Sequence, residues 1–276
     1  MTVDYRDGVS ILLLIFYLPA LSIAILLTVR HGLKRSAGWR FMIIFALARI
    51  LCACFSLATI NQPNNVSLYI GYTVLIGVAI SPLELVAFGL LSRITESINK
   101  SHQTFINQWH IQLAELLNTV GIILSIIGGV DSGTNYSKTG RYVPQTLTKV
   151  GLGLFIASFV AILAFTAILF MTISHAEPGE RRILLAVAVS LPLLLVRLIY
   201  SAIYTFGDHM RFSALTGSVT ILLCMALLEE IAIVVIYEGV GLTLRKVEKP
   251  QNAKGHPKSL PPGNDVEIGD HELTSM

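Results

Sequence analysis

The chain has 276 residues, of which 54% are hydrophobic and only 13% charged, with a formal net charge of +3. A soluble domain carries about a quarter charged residues to keep its surface hydrated. The composition therefore excludes an ordinary water-soluble protein, and we expect no nucleic-acid partner.

Seven apolar stretches are long enough to cross a bilayer, whose core of about 30 Å needs roughly 20 residues per helix. They cover residues 9–29, 41–60, 68–91, 109–130, 150–173, 183–206 and 212–237. Backbone groups find no water in hydrocarbon, so each stretch is expected to be helical. The predicted fold class is an all-α, integral membrane bundle of seven transmembrane helices. It forms one domain over 9–242, after an extracellular segment, 1–8, and before a polar, proline-containing tail, 243–276, that we expect to be disordered.

The orientation follows from the distribution of basic residues between the two sides of the membrane. Thirteen Lys and Arg fall in the first, third and fifth loops and the tail, and five fall on the other side. Basic residues favour the cytosolic side. The sequence therefore predicts an outside or lumenal N-terminus and a cytosolic C-terminus, in the plasma membrane or an endomembrane. Two glycosylation sequons, at Asn65 and Asn135, fall in predicted outer loops.

Ionisable side chains inside spans are costly, so they are expected to face the bundle interior and to have partners. Counting ~1.5 Å per residue places one arginine and four glutamates at similar depth in the inner half: Arg49, Glu84, Glu115, Glu229 and Glu230. Three interpretations stay open. The layer is a structural ion pair with protonated glutamates, a polar pocket for a headgroup or small molecule, or a catalytic site in which a protonated glutamate is a general acid.

The sixth predicted helix carries a regular polar pattern. Arg197, Tyr200, Ser201 and Tyr204 repeat at i, i+3, i+4 and i+7, which places them on one face in the outer half of the membrane. Two interpretations compete: a tyrosine-rich helix interface with Arg197 extending toward the outer surface, or an anion or polar-ligand site open to the outside.

The sequence contains no nucleotide, zinc-protease or paired-cysteine motif. Its seven histidines lie in predicted loops, at span ends or in the tail, without the paired spacing that a metal requires. We therefore expect neither a metal nor a cofactor.

Two segments carry a family resemblance: LPLLLVRLIYSAIYTF (191–206) and MALLEEIAIVVIYEGVGL (225–242). Together they resemble a family of uncharacterised fungal seven-helix integral membrane proteins. They are more distantly similar to the fungal lipid-translocating exporter family. The resemblance implies that Arg197 and Tyr200 form a sixth-helix signature and that Glu229 (or Glu230) is the seventh-helix acid.

The leading functional hypothesis is the binding or translocation of a lipid-like or amphipathic ligand, with membrane lipids as the surrounding partners. The predicted ligand-binding residues are Arg49, Glu84, Arg197, Tyr200, Tyr204 and Glu229. One alternative is a sensing receptor. Another is a membrane-embedded, acid-initiated cyclase, in which Glu84 and Glu229 face one apolar cavity. No catalytic residue is assigned, because the first hypothesis does not require an enzyme.

Overall fold

The structure, a computed structural model, describes residues 5–31, 37–99, 106–139, 144–173, 179–207, 212 and 217–244. Within these ranges there is no strand. The helices are α1 (Tyr5–His31), α2 (Ala37–Asn61), α3 (Val66–Val78), α4 (Ile80–Asn99), α5 (Gln108–Thr139), α6 (Thr146–Thr172), α7 (Glu180–Phe206), α8 (Val219–Leu222) and α9 (Leu228–Thr243). A π-helical turn, Leu223–Leu227, joins α8 to α9. These elements make seven segments long and apolar enough to cross a membrane, which confirms the predicted fold class.

The third span is the centre of the bundle. It consists of α3 and α4, and α4 packs against α2, α5, α6 and α7. Almost all of α4 is buried, whereas the other spans expose large apolar side chains on their outer faces. The first and last spans also meet, because α1 packs on both α2 and α9. The second, fourth, fifth and sixth spans thus enclose the third span, whose α4 segment is almost entirely buried.

The third span is interrupted at Ala79, between α3 and α4. Pro82 follows three residues later, and its ring removes one backbone donor and crowds the carbonyl of the preceding turn. A side chain from α5 compensates nearby: Asn118 donates from Nδ2 to the carbonyl of Ser81 at 3.2 Å and accepts from the Ser81 hydroxyl. Both residues are fully buried. Asn118 therefore stabilises the irregular segment from a neighbouring helix. Irregular backbone at membrane depth needs such a hydrogen-bond partner, because lipid supplies none.

Several predicted boundaries shift in the structure. The first span begins at Tyr5, inside the segment predicted as extracellular, and the third extends to Asn99 instead of ending at residue 91. The seventh runs from Val219 to Thr243, and not from 212 to 237. Asn135, predicted in an outer loop, lies in the last turns of α5. The predicted disordered tail falls outside the described residues from residue 245 onward.

Small residues allow α5 and α6 to approach closely. A Cβ added to Gly151 of α6 would overlap Ser125 Oγ and lie 2.8 Å from the carbonyl oxygen of Gly121. A Cβ on Gly153, two residues further, would meet nothing within 4 Å. The contact between these helices thus depends on the absence of a side chain at Gly151, as expected for helix packing in lipid.

Two arginines tie helices together near their ends. Arg30 of α1 donates to the carbonyls of Leu242 at 3.3 Å and Leu244 at 3.2 Å, which satisfies free acceptors at the end of α9. Arg93 of α4 pairs with Glu180 at the start of α7, with 3.1 Å between Nε and Oε1. Each bond joins helices that are distant in sequence.

Candidate functional site

Three ionisable side chains meet at mid-depth in the bundle, and we call them the charge cluster: Arg49 of α2, Arg197 of α7 and Glu230 of α9. Arg49 lies at the midpoint of its helix. All three are at most 1% exposed. The Glu230 carboxylate lies between the two guanidiniums, with Oε1 2.7 Å from Arg197 Nε and Oε2 paired with Arg49 Nη2. The cluster therefore ties together the second, sixth and seventh spans.

Arg197 has a partner for each of its nitrogens. Besides the bond to Glu230, Nη1 donates to the hydroxyl of Ser201, and Nη2 donates to the carbonyl of Ile76 at 2.7 Å. Ile76 lies three residues before the interruption of the third span. Arg197 therefore also stabilises the backbone of the central helix, and its guanidinium lies 5.6 Å from the ring centroid of Tyr200.

Arg49 is less completely satisfied. Its guanidinium lies 5.8 Å from the ring centroid of Phe45, but Nε and Nη1 have no hydrogen-bond partner among the described residues. The hydroxyl of Tyr17, on α1, is also buried without a described partner, and it interacts electrostatically with Arg49 and Glu230. The Tyr17 ring packs against Phe45 at 5.7 Å between centroids. This side of the cluster thus presents two unpaired guanidinium nitrogens and a phenol hydroxyl, beside the Cys52 thiol.

The π-helical turn before α9 determines which of the two adjacent acids, Glu229 or Glu230, faces the cluster. A π turn adds one residue to a helical turn, which rotates the following helix by ~100° relative to a regular one. After this turn the buried positions are Glu230, Ile233, Val234, Tyr237, Glu238 and Gly241. Glu230 therefore faces the bundle, whereas Glu229 is only partly buried. Of the two candidates for the seventh-helix acid, Glu229 and Glu230, the cluster contains Glu230.

Of the predicted layer, Arg49 and Glu230 meet as an ion pair, whereas the other three carboxylates do not join them among the described residues. Glu84 of α4 is fully buried, but its carboxyl oxygens have no partner among the described residues, and it is not paired with Arg49. Glu115 is half-buried on α5. Arg49 and Arg197, predicted in different halves of the membrane, share Glu230 instead. The ion-pair interpretation of the layer agrees with the Arg49–Glu230 pair, whereas the separate depth predicted for Arg197 is wrong. Depths counted from the predicted span ends were displaced, because the spans are longer than the apolar stretches.

The polar residues predicted to share one face of the sixth span all lie on α7, but they do not line one common space. Tyr200 is buried and donates from its hydroxyl to the carbonyl of Phe212 at 3.1 Å. Ser201 and Tyr204 line a crevice of about 30 Å³ between the third, fourth, fifth and sixth spans. Its hydroxyls come from Thr73, Ser125, Thr148, Ser201, Tyr204 and Thr205. That volume holds two or three waters at roughly 10–15 Å³ each, so an amphipathic molecule does not fit in this crevice.

A much larger space lies between α1 and α9, and we call it the lateral groove. It measures about 630 Å³ and is lined by Leu12, Pro19 and Ile23 of α1 and by Leu228, Val235 and Leu242 of α9, among others. Glu238 is the one ionisable residue in its lining. This side chain is 5% exposed, and its Oε1 has no hydrogen-bond partner among the described residues. The predicted seventh span ended at residue 237, so Glu238 was not among the predicted site residues.

Neither Glu84 nor Glu229 lines the crevice or the lateral groove. The acid pair that the cyclase alternative requires does not face a common space in either of them. Among the described residues, no three His, Cys, Asp or Glu side chains are grouped as metal ligands.

Fold and site define a class: a multi-pass membrane protein of seven spans, joined at mid-depth by a buried Arg–Glu–Arg cluster. The chain belongs to the family described as a domain of unknown function, DUF7702, whose model matches residues 3–247. The match covers all seven spans. No curated protein and no solved structure matches the chain.

Proposed function

We propose that this protein binds an amphipathic molecule that enters the lateral groove from the surrounding lipid. The observation that carries the proposal is the buried Glu238 carboxyl in a groove whose other lining side chains are apolar. The volume of about 630 Å³ is typical of small-molecule sites. An ionisable residue kept inside a span without a partner costs several kcal/mol, which is characteristic of functional positions.

The polar groups of the groove favour a ligand with a donor head. Glu238 offers carboxyl oxygens, and Pro19 has no N–H with which to bond the carbonyl of Ile15, another lining residue. A single carboxylate among apolar side chains matches an alkyl chain that carries one ammonium group. We therefore propose a long-chain amine as the class of ligand.

The depth of Glu238 distinguishes a simple amine from a phospholipid. Glu238 lies five residues before the end of α9, or ~8 Å along the helix, whereas Arg30 bonds the carbonyls at that end. In a zwitterionic phospholipid the phosphate lies deeper than the ammonium. Here the anionic group lies deeper than the cationic one, the reverse of the order that such a headgroup requires.

The length of the groove favours binding of a ligand over its translocation across the whole membrane. Its lining on α9 runs from Leu228 to Leu242, which is ~21 Å along the helix and less than the ~30 Å of a bilayer core. A groove of this length holds an amphiphile in one leaflet and part of the next. The proposal is therefore for binding, with transfer between leaflets as a further step.

The test is binding of tetradecylamine to the purified protein in lipid nanodiscs, measured by native mass spectrometry. Tetradecanoate, with the same chain length and the opposite charge, is the comparison ligand. We expect the amine to bind and Glu238→Gln to lower its affinity at least tenfold, because a hydrogen bond to a charged group contributes about 1.5–3 kcal/mol. Gly239→Leu should block binding as well, since a Cβ at Gly239 meets nothing within 4 Å and projects into open space.

Two matched controls accompany these variants. Glu229→Gln removes a carboxyl from the same helix outside the groove, and Gly153→Leu adds the same side chain at an equally open position on α6. Both should bind the amine like the wild type. Equal binding by Glu238→Gln, or a preference for tetradecanoate, would refute the proposal.

We also propose that the N-terminus lies outside or in the lumen and the C-terminus in the cytosol. The support is the excess of Lys and Arg in the first, third and fifth loops and the tail, which all lie on the side of the C-terminus. In sealed vesicles of known sidedness, a C-terminal tag should be cleaved by added protease only when the cytosolic face is outward. Cleavage from the opposite face would reverse the assignment.

A further inference from the structure

The charge cluster carries an uncompensated charge. Two guanidiniums and one carboxylate sum to one positive charge, and all three groups are at most 1% exposed. Arginine keeps its proton under ordinary conditions. A net charge held in a low-dielectric interior costs several kcal/mol unless a counter-charge is nearby. The cluster thus lacks one negative charge.

Other described acids do not supply that charge. The groups that interact electrostatically with Arg49 are Glu230, Tyr17 and Cys52. Glu84, the other fully buried carboxyl, has no charged neighbour, and its oxygens are unpartnered among the described residues. Glu229 is only partly buried and makes no ion pair within the described part of the chain. The deficit is therefore local to the Arg49 side of the cluster.

The same side presents unused donors. Arg49 Nε and Nη1 and the Tyr17 hydroxyl are buried and have no hydrogen-bond partners among the residues described. Tyr17 is fully buried, and Phe45 packs against both its ring and the Arg49 guanidinium. Unsatisfied buried donors cost about 1–3 kcal/mol each. Donors around an excess positive charge select an anion, since an anion satisfies both the charge and the hydrogen bonds.

We propose that Arg49 and Tyr17 bind one small monovalent anion of the halide class at the centre of the membrane. The single excess charge sets the valence, because a divalent anion would leave the cluster negative. The neighbouring side chains Tyr17, Phe45 and Cys52 are at most 1% exposed, so the site is closed to bulky ligands and suits a compact ion. This site is independent of the lateral groove and of the amine proposed there.

Chloride is the probe. The purified full-length protein, in nanodiscs of uncharged lipid, is heated in sodium chloride and in sodium gluconate of the same ionic strength. A ligand that binds only the folded state raises the free energy of unfolding by RT ln(1 + [L]/Kd). We therefore expect the midpoint of unfolding to rise with the logarithm of the chloride concentration once that concentration exceeds Kd, with no such rise in gluconate. Retention of radiolabelled chloride should give one ion per protein.

Arg49→Met is the decisive variant, because it leaves Arg197 and Glu230 as a neutral pair. It should lose both the chloride-dependent rise and the retained chloride. Arg40→Met is the matched control, since it removes an exposed arginine from the same helix and should keep both. If Arg49→Met does not fold, Tyr17→Phe provides the second test and should weaken chloride retention at least severalfold.

An absence of chloride dependence and of retained chloride in the wild type would refute the site. Equal chloride binding by the wild type and Arg49→Met, or by Tyr17→Phe when the first variant does not fold, would also refute it, because the ion would then lie elsewhere. Neither result depends on whether the groove binds an amine.

Discussion

Replacing Glu230 with alanine is expected to be the most damaging single carboxylate substitution in this protein. The change leaves Arg49 and Arg197 as two buried guanidiniums without a counter-charge between them. Removing one partner of a buried ion pair costs about 3–5 kcal/mol, and here two pairs lose the same partner. We expect Glu230→Ala to accumulate poorly or to unfold at a much lower temperature, as measured by thermal denaturation of the detergent-solubilised protein.

Glu229→Ala is the matched comparison, one residue away on the same helix. Glu229 is partly buried and has no ion pair in the described part of the chain, so its loss should change the unfolding midpoint little. Similar damage from both substitutions would show that the acid in the cluster is not fixed as Glu230.

Gly151→Leu is expected to have the second large effect. Its Cβ alone would lie 2.8 Å from the backbone oxygen of Gly121, and a backbone atom cannot rotate away as a side chain does. Overpacking of a well-packed core costs about 1–3 kcal/mol, and the contact with backbone places this substitution at the upper end or beyond. The expected result is a strongly lowered unfolding midpoint.

Gly153→Leu adds the same side chain two residues along α6, where a Cβ meets nothing within 4 Å. Its unfolding midpoint should stay close to that of the wild type. Were Gly153→Leu as destabilising as Gly151→Leu, the cause would be the side chain's effect on α6 itself, and not the contact with α5.

The number and type of the spans could be predicted from composition, because lipid requires long apolar helices. Their ends could not, since α4 and α9 continue through polar residues that the bundle buries. Arg93 is an example: it looked like a loop residue, but it lies in α4 and pairs with Glu180.

The partners inside the bundle were only partly predictable. The spacing of Arg197, Tyr200 and Ser201 correctly indicated one face of a helix, and Ser201 does bond Arg197. The choice between Glu229 and Glu230 was open, because the seventh span is apolar on all sides and the π turn leaves no sequence signal. Ile233, Val234 and Tyr237 lie on the same helix face as Glu230. Other apolar residues lie on the face of Glu229, so hydrophobicity does not distinguish the two faces.

Glu238 shows a different limitation. A carboxyl at the end of an apolar run resembles a residue just outside the membrane, and the predicted span ended beside it. The apolar residues that follow, Val240 and Leu242, were the available signal that the helix continues. The groove itself depends on how α1 packs against α9, which one sequence does not specify.

The charge cluster also imposes an order on synthesis. Arg49 belongs to the second span to leave the ribosome, and Glu230 follows it by 181 residues. At about 5–20 residues per second, roughly 10–40 s pass before the acid is made. Arg197 is translated in that interval too, so the growing chain holds two arginines in or near the membrane before their carboxylate arrives. A chain that stops before residue 230 keeps both arginines without this partner, which makes the last helix the step that completes assembly.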